Sequence, residues 1–310
     1  MNNPFVTKFA ADAGDIVYYY DEPITLDLKK DGVTLLHEYY VPDNDNYIRV
    51  RGLAGIVSQS LYGTLALGDQ TATGKGVFSI HVNGASAAAV SETIYAMRLR
   101  NPRDTAGARS VMSATEKTVA YRGLPIIVTV IGQVQLVLLN NSNEAVATTA
   151  IGTSGAITSY DLSGVIANNP TATWLRLAGG DMTVRILSTA CDDCVPVRFL
   201  NRYDMPESLT AAYMEDKPSA SDSQAVMNGL RTRFDVQSAA EYTLRSGRLH
   251  FAEQYDTWHD LLTARKAQVL LGGEWHDIIV TKSNYTRHRR TFYGSEVTVS
   301  FQTANPRLLL

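Results

Sequence analysis

Four short runs of this 310-residue chain hold the side chains best suited to chemistry. The first is Cys191 and Cys194, the only two cysteines, in a single C-x-x-C. Structural zinc needs four ligands, usually two such pairs or one pair with two closely spaced histidines. The nearest histidine in sequence is His250, and no such histidine pair follows it. A redox C-x-x-C belongs at the strand-to-helix junction of a βαβ unit, whereas this one lies between β-type segments beside Asp192 and Asp193. Incidental thiols, a local disulfide, a metal site shared across subunits and redox chemistry all stay open.

The second run, Gly68 to Gly76, brushes against a phosphate-binding loop. Five residues separate Gly68 from Gly74 where four are required, Gly76 stands in place of the magnesium-binding Ser or Thr, and a strand pattern follows instead of a helix. It reads as a hairpin loop. The third, Glu274-Trp275-His276-Asp277, offers two acids and an imidazole. On a strand, however, Glu274 and His276 face one way and Trp275 and Asp277 the other, and general acid–base catalysis needs its groups to converge. His250, His259 and His276 are irregularly spaced, and neither H-E-x-x-H nor G-x-S-x-G occurs. The fourth, Arg287-His288-Arg289-Arg290, is the one basic run, either a solvated loop tip or a rim for an acidic neighbour or for DNA. With the cysteine pair left open, the expectation is a chain that is not an enzyme, with no cofactor and no residues assigned to a metal.

The elements that position these runs are almost all strands. At 45% hydrophobic and 19% charged residues the chain can bury real cores, and its 16 tyrosines suit half-buried strands and contact surfaces. A net charge of −3 gives no footprint for sequence-specific nucleic-acid binding. The start of the chain lacks the pattern of a secretory signal. No apolar run reaches the roughly 18 residues of a membrane span; the longest, Leu124 to Leu139, is broken by Pro125, Gly132, Gln133 and Gln135.

Strands are predicted at 15–20, 24–28, 34–41, 47–51, 76–82 and 93–99, with Asp31-Gly32 as a hairpin turn. A short helix is predicted over 53–61, from apolar residues at Leu53, Ile56, Val57 and Leu61. The polar stretch 101–110 reads as a surface loop or an interdomain connection. Strands then recur at 126–139, 145–151, 156–162, 172–177 and 182–187, at a turn spacing typical of a small β-sandwich. Beyond Cys194 come a strand running into a polar turn across 195–203, a second strand over 207–214 and a polar loop at 217–224. A strand pair or one bent strand follows within 230–249. Phe251, Tyr255, Trp258, Leu261, Leu262 and Arg265 then mark an amphipathic helix over about 251–265, followed by strands at 267–271, 275–282 and 295–303. The expected organisation is mainly β, with modules at 1–108 and 109–190 and a C-terminal domain at 191–310.

Three local features give the chain a family resemblance. They are Tyr20 to Leu28 with Tyr39 to Pro42; the segment from the cysteines to Phe199-Leu200-Asn201-Arg202-Tyr203; and Trp275 to Thr286 with Glu296 to Asn305. Together they resemble tail-associated structural proteins of phages and prophages of Bacteroidetes-type bacteria. The likeness departs at Asp204, where such turns often carry glycine. It implies two N-terminal β-sandwich-like modules and a tail-tube-like C-terminal β-sandwich with one packed α-helix. It also implies a non-enzymatic virion protein: a tube-proximal, distal-tail or baseplate component made in the host cytoplasm. Such a protein forms a ring with itself through strand-edge and loop contacts and meets neighbouring tail proteins. On this reading Tyr285, Arg287, Arg289, Arg290 and Tyr293 are the candidate assembly contacts. The alternative is a carbohydrate- or surface-binding β-sandwich protein, for which Tyr and Trp on strand faces would stack on a host surface glycan.

Overall fold

Period-two alternation becomes strand after strand in a computed structural model of the chain, which describes residues 15–62, 67, 75–86, 92–95, 111–153, 157–177, 182–187, 191–227, 230–284 and 296–304. The protein is mainly β, with sandwich-like modules, as the sequence predicts. Contact density groups the chain into two units, Met1–Arg109 with Arg202–Met205, and Ser110–Asn201 with Pro206–Leu310.

In the smaller unit, β1 (Ile16–Tyr19) pairs with the later strand β4 (Tyr47–Val50). Ile16, Tyr18, Ile48 and Val50 are buried, while Val17, Tyr19 and Tyr47 are exposed. Between them β2 (Ile24–Lys30) and β3 (Val33–Tyr40) form a hairpin whose turn residues Asp31 and Gly32 both take positive φ, 51° and 83°, matching the twist of the strands. Helix α1 (Leu53–Tyr62) buries Leu53, Val57 and Leu61, one stripe at fourfold spacing. Strands β5 (Lys75–Val82), β6 (Ala85–Ser86) and β7 (Glu92–Tyr95) complete a five-stranded sheet of order β3-β2-β5-β6, with β7 also on β5. Strand β3 is its edge, and it is the exception to alternation: no residue on either of its faces is buried.

The larger unit opens with β8 (Lys117–Tyr121), a strand that the sequence does not announce, then β9 (Ile127–Ile131), β10 (Val134–Leu139), β11 (Ala145–Ile151) and β12 (Ile157–Asp161). After the short helix α2 (Ser163–Ala167) come β13 (Trp174–Leu177) and β14 (Met182–Leu187). A sheet of order β11-β10-β13-β14-β8 faces the β9–β12 pair across one core that includes Val128, Val130, Leu136, Leu138, Leu175, Leu177 and Val184. The Arg122 guanidinium donates to the carbonyls of Ile166, Asn169 and Ala172, at 2.6, 3.3 and 2.7 Å, and so satisfies the end of α2.

Gly152 sits where two turns nearly touch. Its φ is +90°, and an added Cβ would lie 2.0 Å from the Gly132 carbonyl oxygen. Backbone cannot swing aside as a side chain can. Gly152→Ala is therefore expected to destabilise this sandwich by about 2–4 kcal/mol, left-handed strain adding to overlap. Urea denaturation checks this, and a midpoint equal to that of the parent would contradict it.

A second core lies beyond the cysteines. Strands β15 (Val195–Leu200), β16 (Pro206–Ala211), β17 (Tyr213–Met227) and β18 (Leu230–Arg245) precede helix α3 (Gln254–Leu262), which is followed by β19 (Ala267–Leu271), β20 (Glu274–Asn284) and β21 (Thr298–Thr303). They form a seven-stranded sheet of order β16-β15-β19-β20-β21-β18-β17. Helix α3 lays Tyr255, Trp258 and Leu261 onto Val197, Phe199, Val269, Val299 and Phe301. It is shorter than the predicted 251–265. The Gln254 side-chain oxygen accepts the N–H groups of His250 and Phe251, at 2.7 and 3.0 Å, and holds the preceding residues in a turn.

Two further expectations need correction. Residues 217–224 do not form a polar loop; they belong to β17, paired along its length with β18. The expected strand at 207–214 is divided between β16, ending at Ala211, and β17, starting at Tyr213, where Ala212 donates to the Arg245 carbonyl.

Candidate assembly surface

A long hairpin extends from the described part of the seven-stranded sheet. Strands β17 and β18 pair from Tyr213↔Arg245 out to Met227↔Leu230. Strand β21 accompanies β18 only over Tyr242–Arg245. From Lys217↔Glu241 outward, therefore, two strands continue without a third among the described residues. Ten residue steps at about 3.3 Å make an arm of roughly 33 Å. Its composition, Lys-Pro-Ser-Ala-Ser-Asp-Ser-Gln along β17, explains why the sequence reads as a loop. The contrary signal is Asn228-Gly229 between Met227 and Leu230, the dipeptide that most favours a two-residue hairpin turn. An isolated two-stranded ribbon is marginal in water. This one also carries β17 as an open sheet edge.

The sheet face away from α3 is polar and cross-linked. Arg198 lies over the Trp275 ring at 4.3 Å and donates to Gln268 at 2.6 Å, while Gln268 donates to Asp277 at 2.7 Å. Trp275 and Asp277 thus share this face, as alternation requires. Glu274 and His276 belong by the same alternation to the other, so Asp277 is separated by the sheet from the acid and the imidazole of this run. Ile279, on the Trp275 face, is 58% exposed. Nearer the arm, Lys282 pairs with Glu241 at 3.2 Å, and Arg245 bridges Glu215 and Glu296 at 2.9 and 3.1 Å.

The predicted contacts Tyr285, Arg287, Arg289, Arg290 and Tyr293 lie outside the described residues. Their flanks are described: Asn284 and Thr298 stand opposite each other as the last pair of β20 with β21. Cys191 and Cys194 form a disulfide with a Cα–Cα distance of 5.2 Å, in a turn before β15. Among the described residues no group of three or more His, Cys, Asp and Glu is placed to hold a metal. No described helix is long and apolar enough to cross a membrane.

One buried polar cluster escapes sequence reading. The Glu207 carboxylate, 2% exposed, accepts from the Ser113 hydroxyl at 2.6 Å, the Ala114 N–H at 3.1 Å and the Asn201 amide at 2.7 Å. The same Asn201 amide nitrogen also donates to the Met112 carbonyl at 2.8 Å. Burial pushes the Glu207 carboxyl up to about 7, Asp260 adds to the rise, and the three donors oppose it. At the turn before it, Asp204 takes φ 55°, which explains why glycine suits this position in similar turns. The cluster ties residues 112–114 to β16 and is structural in geometry.

No family model matches the sequence, and no curated protein matches it. Among solved structures the chain is similar to a component of the virion of a native gene transfer agent particle, at 9% identity over 38% of this chain and 95% of that one, with a TM-score of 0.25. It is similar to a chain in the tail of the empty gene transfer agent particle at 8% identity, over 38% and 96%, with the same score. A chain of the anti-feeding prophage baseplate gives 11% identity over 38% and 94%, again at 0.25.

Proposed function

We propose that this chain is a non-enzymatic structural component of a phage-type tail, close to the tube or baseplate, that forms a ring with copies of itself. The observation that supports this best is the arm. This ribbon of about 33 Å has no third strand beside its outer part among the described residues. A neighbouring copy can supply one. Head-to-tail contact of this kind joins two different surfaces, and it closes into a ring when the rotation per subunit divides the circle. Exposed edge strand β3 of the smaller unit, with Val33 and Tyr39 at 67% and 68% exposure, offers a second edge of the same type.

The test removes the arm without touching the core, replacing 218–240 by a short Gly-rich turn between Lys217 and Glu241. The expected result is a chain with unchanged thermal stability that sediments as a monomer, while the parent forms rings visible by electron microscopy. Charge reversal at Arg287, Arg289 and Arg290 is expected to weaken the same assembly. Parent and shortened chains that assemble alike would sink the role of the arm.

The carbohydrate-binding alternative has one observation in its favour. Tyr19 and Tyr47 pack edge to face at 5.6 Å on the exposed side of β1 and β4, with Arg49 5.7 Å from the Tyr47 ring centre. A monomeric parent that binds glycans through these rings would favour that reading over the tail one.

A further inference from the structure

We propose that strand β11 pairs edge to edge with the same strand of a second copy of this chain, antiparallel about Thr149. β11 is the outer strand of the five-stranded sheet, and among the described residues no strand lies beyond it. Five of its seven residues are exposed, Val146 at 38% among them. Ala147, Thr149 and Ile151 stand opposite Leu138, Leu136 and Val134 of β10, all three in the core. Yet Ala147 is only partly buried and Thr149 is exposed, so the cover over this face ends before the sheet does.

Charge decides the occupant. An open edge is a template for another strand, and charged residues or proline on it restrict what can lie there. Edge β3 carries His37 and Glu38, and β17 carries Glu215, Asp216, Lys217, Pro218 and Asp222. β11 reads Ala-Val-Ala-Thr-Thr-Ala-Ile, with no charge, no proline and four β-branched residues. Nothing in it selects a charged foreign strand, and no like charges meet when it pairs with itself. Its one bulge, at Val146, leaves Ala147–Ile151 in unbroken register with β10. That stretch is centred on Thr149. Antiparallel pairing about this residue sets Thr149 opposite Thr149 of the second copy, Thr148 opposite Ala150 and Ala147 opposite Ile151. Thr–Thr pairs are favourable across strands. Ala147 and Ile151 already border the core, so each of their cross-pairs extends that core over the dyad, and two five-stranded sheets become one of ten. The same patch serves both copies, unlike the head-to-tail contact of a ring, and no residue of the arm takes part. The contact is small beside the interface of a stable dimer, so pairing is reversible and a covalent trap reads it best.

The test places one thiol on the dyad. Cys191 and Cys194 are bonded to each other, so the cysteine of Thr149→Cys is the only free one in the full chain. Directly opposed residues of an antiparallel pair have Cα atoms about 4.5–5.5 Å apart, within reach of a disulfide. Thr149→Cys should therefore give a covalent dimer under oxidised glutathione. Thr148→Cys, whose mate stands diagonally at about 7–8 Å, should do so about tenfold more slowly or not at all. In sedimentation at high concentration, Thr149→Lys should weaken pairing about tenfold or more, with an unchanged melting temperature. An equal mixture of Thr149→Lys and Thr149→Glu should pair again at low salt and lose that gain at about 1 M salt. Such rescue is specific to a dyad, because a strand docked elsewhere never brings the two residues 149 together. Equal crosslinking at 148 and 149, no crosslinking at 149, or no rescue in the mixture overturns the proposal. The chain shortened between Lys217 and Glu241 separates this contact from the ring. It should crosslink through Thr149→Cys as the full chain does, whether or not rings form, and crosslinking that is lost with the arm would also overturn the dyad.

Discussion

Glu207→Gln is expected to make the larger unit more stable than the parent above pH 7 and equal to it near pH 4.5, whereas Glu207→Ala is expected to destabilise it by about 2–4 kcal/mol. The carboxyl titrates near 4.5 when exposed and at about 7 in the fold. Between those values the folded state holds more protons than the unfolded one, so stability falls as pH rises through this window. Below about pH 4.5 the contribution is complete. Above pH 7 it is lost, a cost of roughly 3 kcal/mol for a fully buried carboxyl displaced this far. Glutamine removes the ionisation and keeps the bonds. Its oxygen can accept from the Ala114 N–H and the Asn201 amide, and its amide can donate to Ser113 once that hydroxyl rotates. Alanine leaves the Ala114 N–H without its acceptor and opens a void. Urea denaturation at pH 5 and pH 8 separates the cases. A glutamine variant with the pH slope of the parent would show that Glu207 is not the group that titrates.

The sequence is most legible where local chemistry and tertiary structure agree. Leu53, Val57 and Leu61 announce α1 because the stripe that defines the helix is also the stripe it buries. Asp31-Gly32 announces its hairpin because the turn itself demands positive φ. The first strand of the arm reads wrongly because Lys217 to Gln224 shows no apolar alternation, and its Ser- and Asp-rich composition is that of a loop. Asn228-Gly229 and the alternation of Leu230, Phe234 and Val236 with Arg231, Arg233 and Asp235 carry the information. Strand β8 is hidden for a different reason: it pairs in parallel with β14, more than 60 residues away, and takes its identity from that partner. Glu207 cannot be singled out from sequence, since its donors come from residues 113, 114 and 201 and nothing local marks it as buried. The split of Glu274 and His276 from Trp275 and Asp277, by contrast, follows from the period of a strand alone.

Phe301→Ala is expected to cost about 3–5 kcal/mol and to lower the melting transition of the larger unit by about 10–15 °C. Phe301 is fully buried on β21, stands opposite Tyr242 of β18 on one side and Val280 of β20 on the other, and stacks on the Tyr242 ring at 5.3 Å and 24°. It therefore joins three strands at the point where β18 leaves the sheet to become the arm. Its core is distinct from that of β8 to β14, so the loss should be regional. Hydrogen exchange should quicken at the amides of β18, β20 and β21 while those of β9, β10 and β13 keep their protection. Exchange that quickens equally in both cores would mean that they unfold as one cooperative block. If the regional pattern holds and ring assembly weakens at temperatures where the chain is still folded, the arm must depend on a rigid root as well as on its own edges. The energy that aligns it is then stored in the packing of Phe301 against Tyr242, and not in the ribbon.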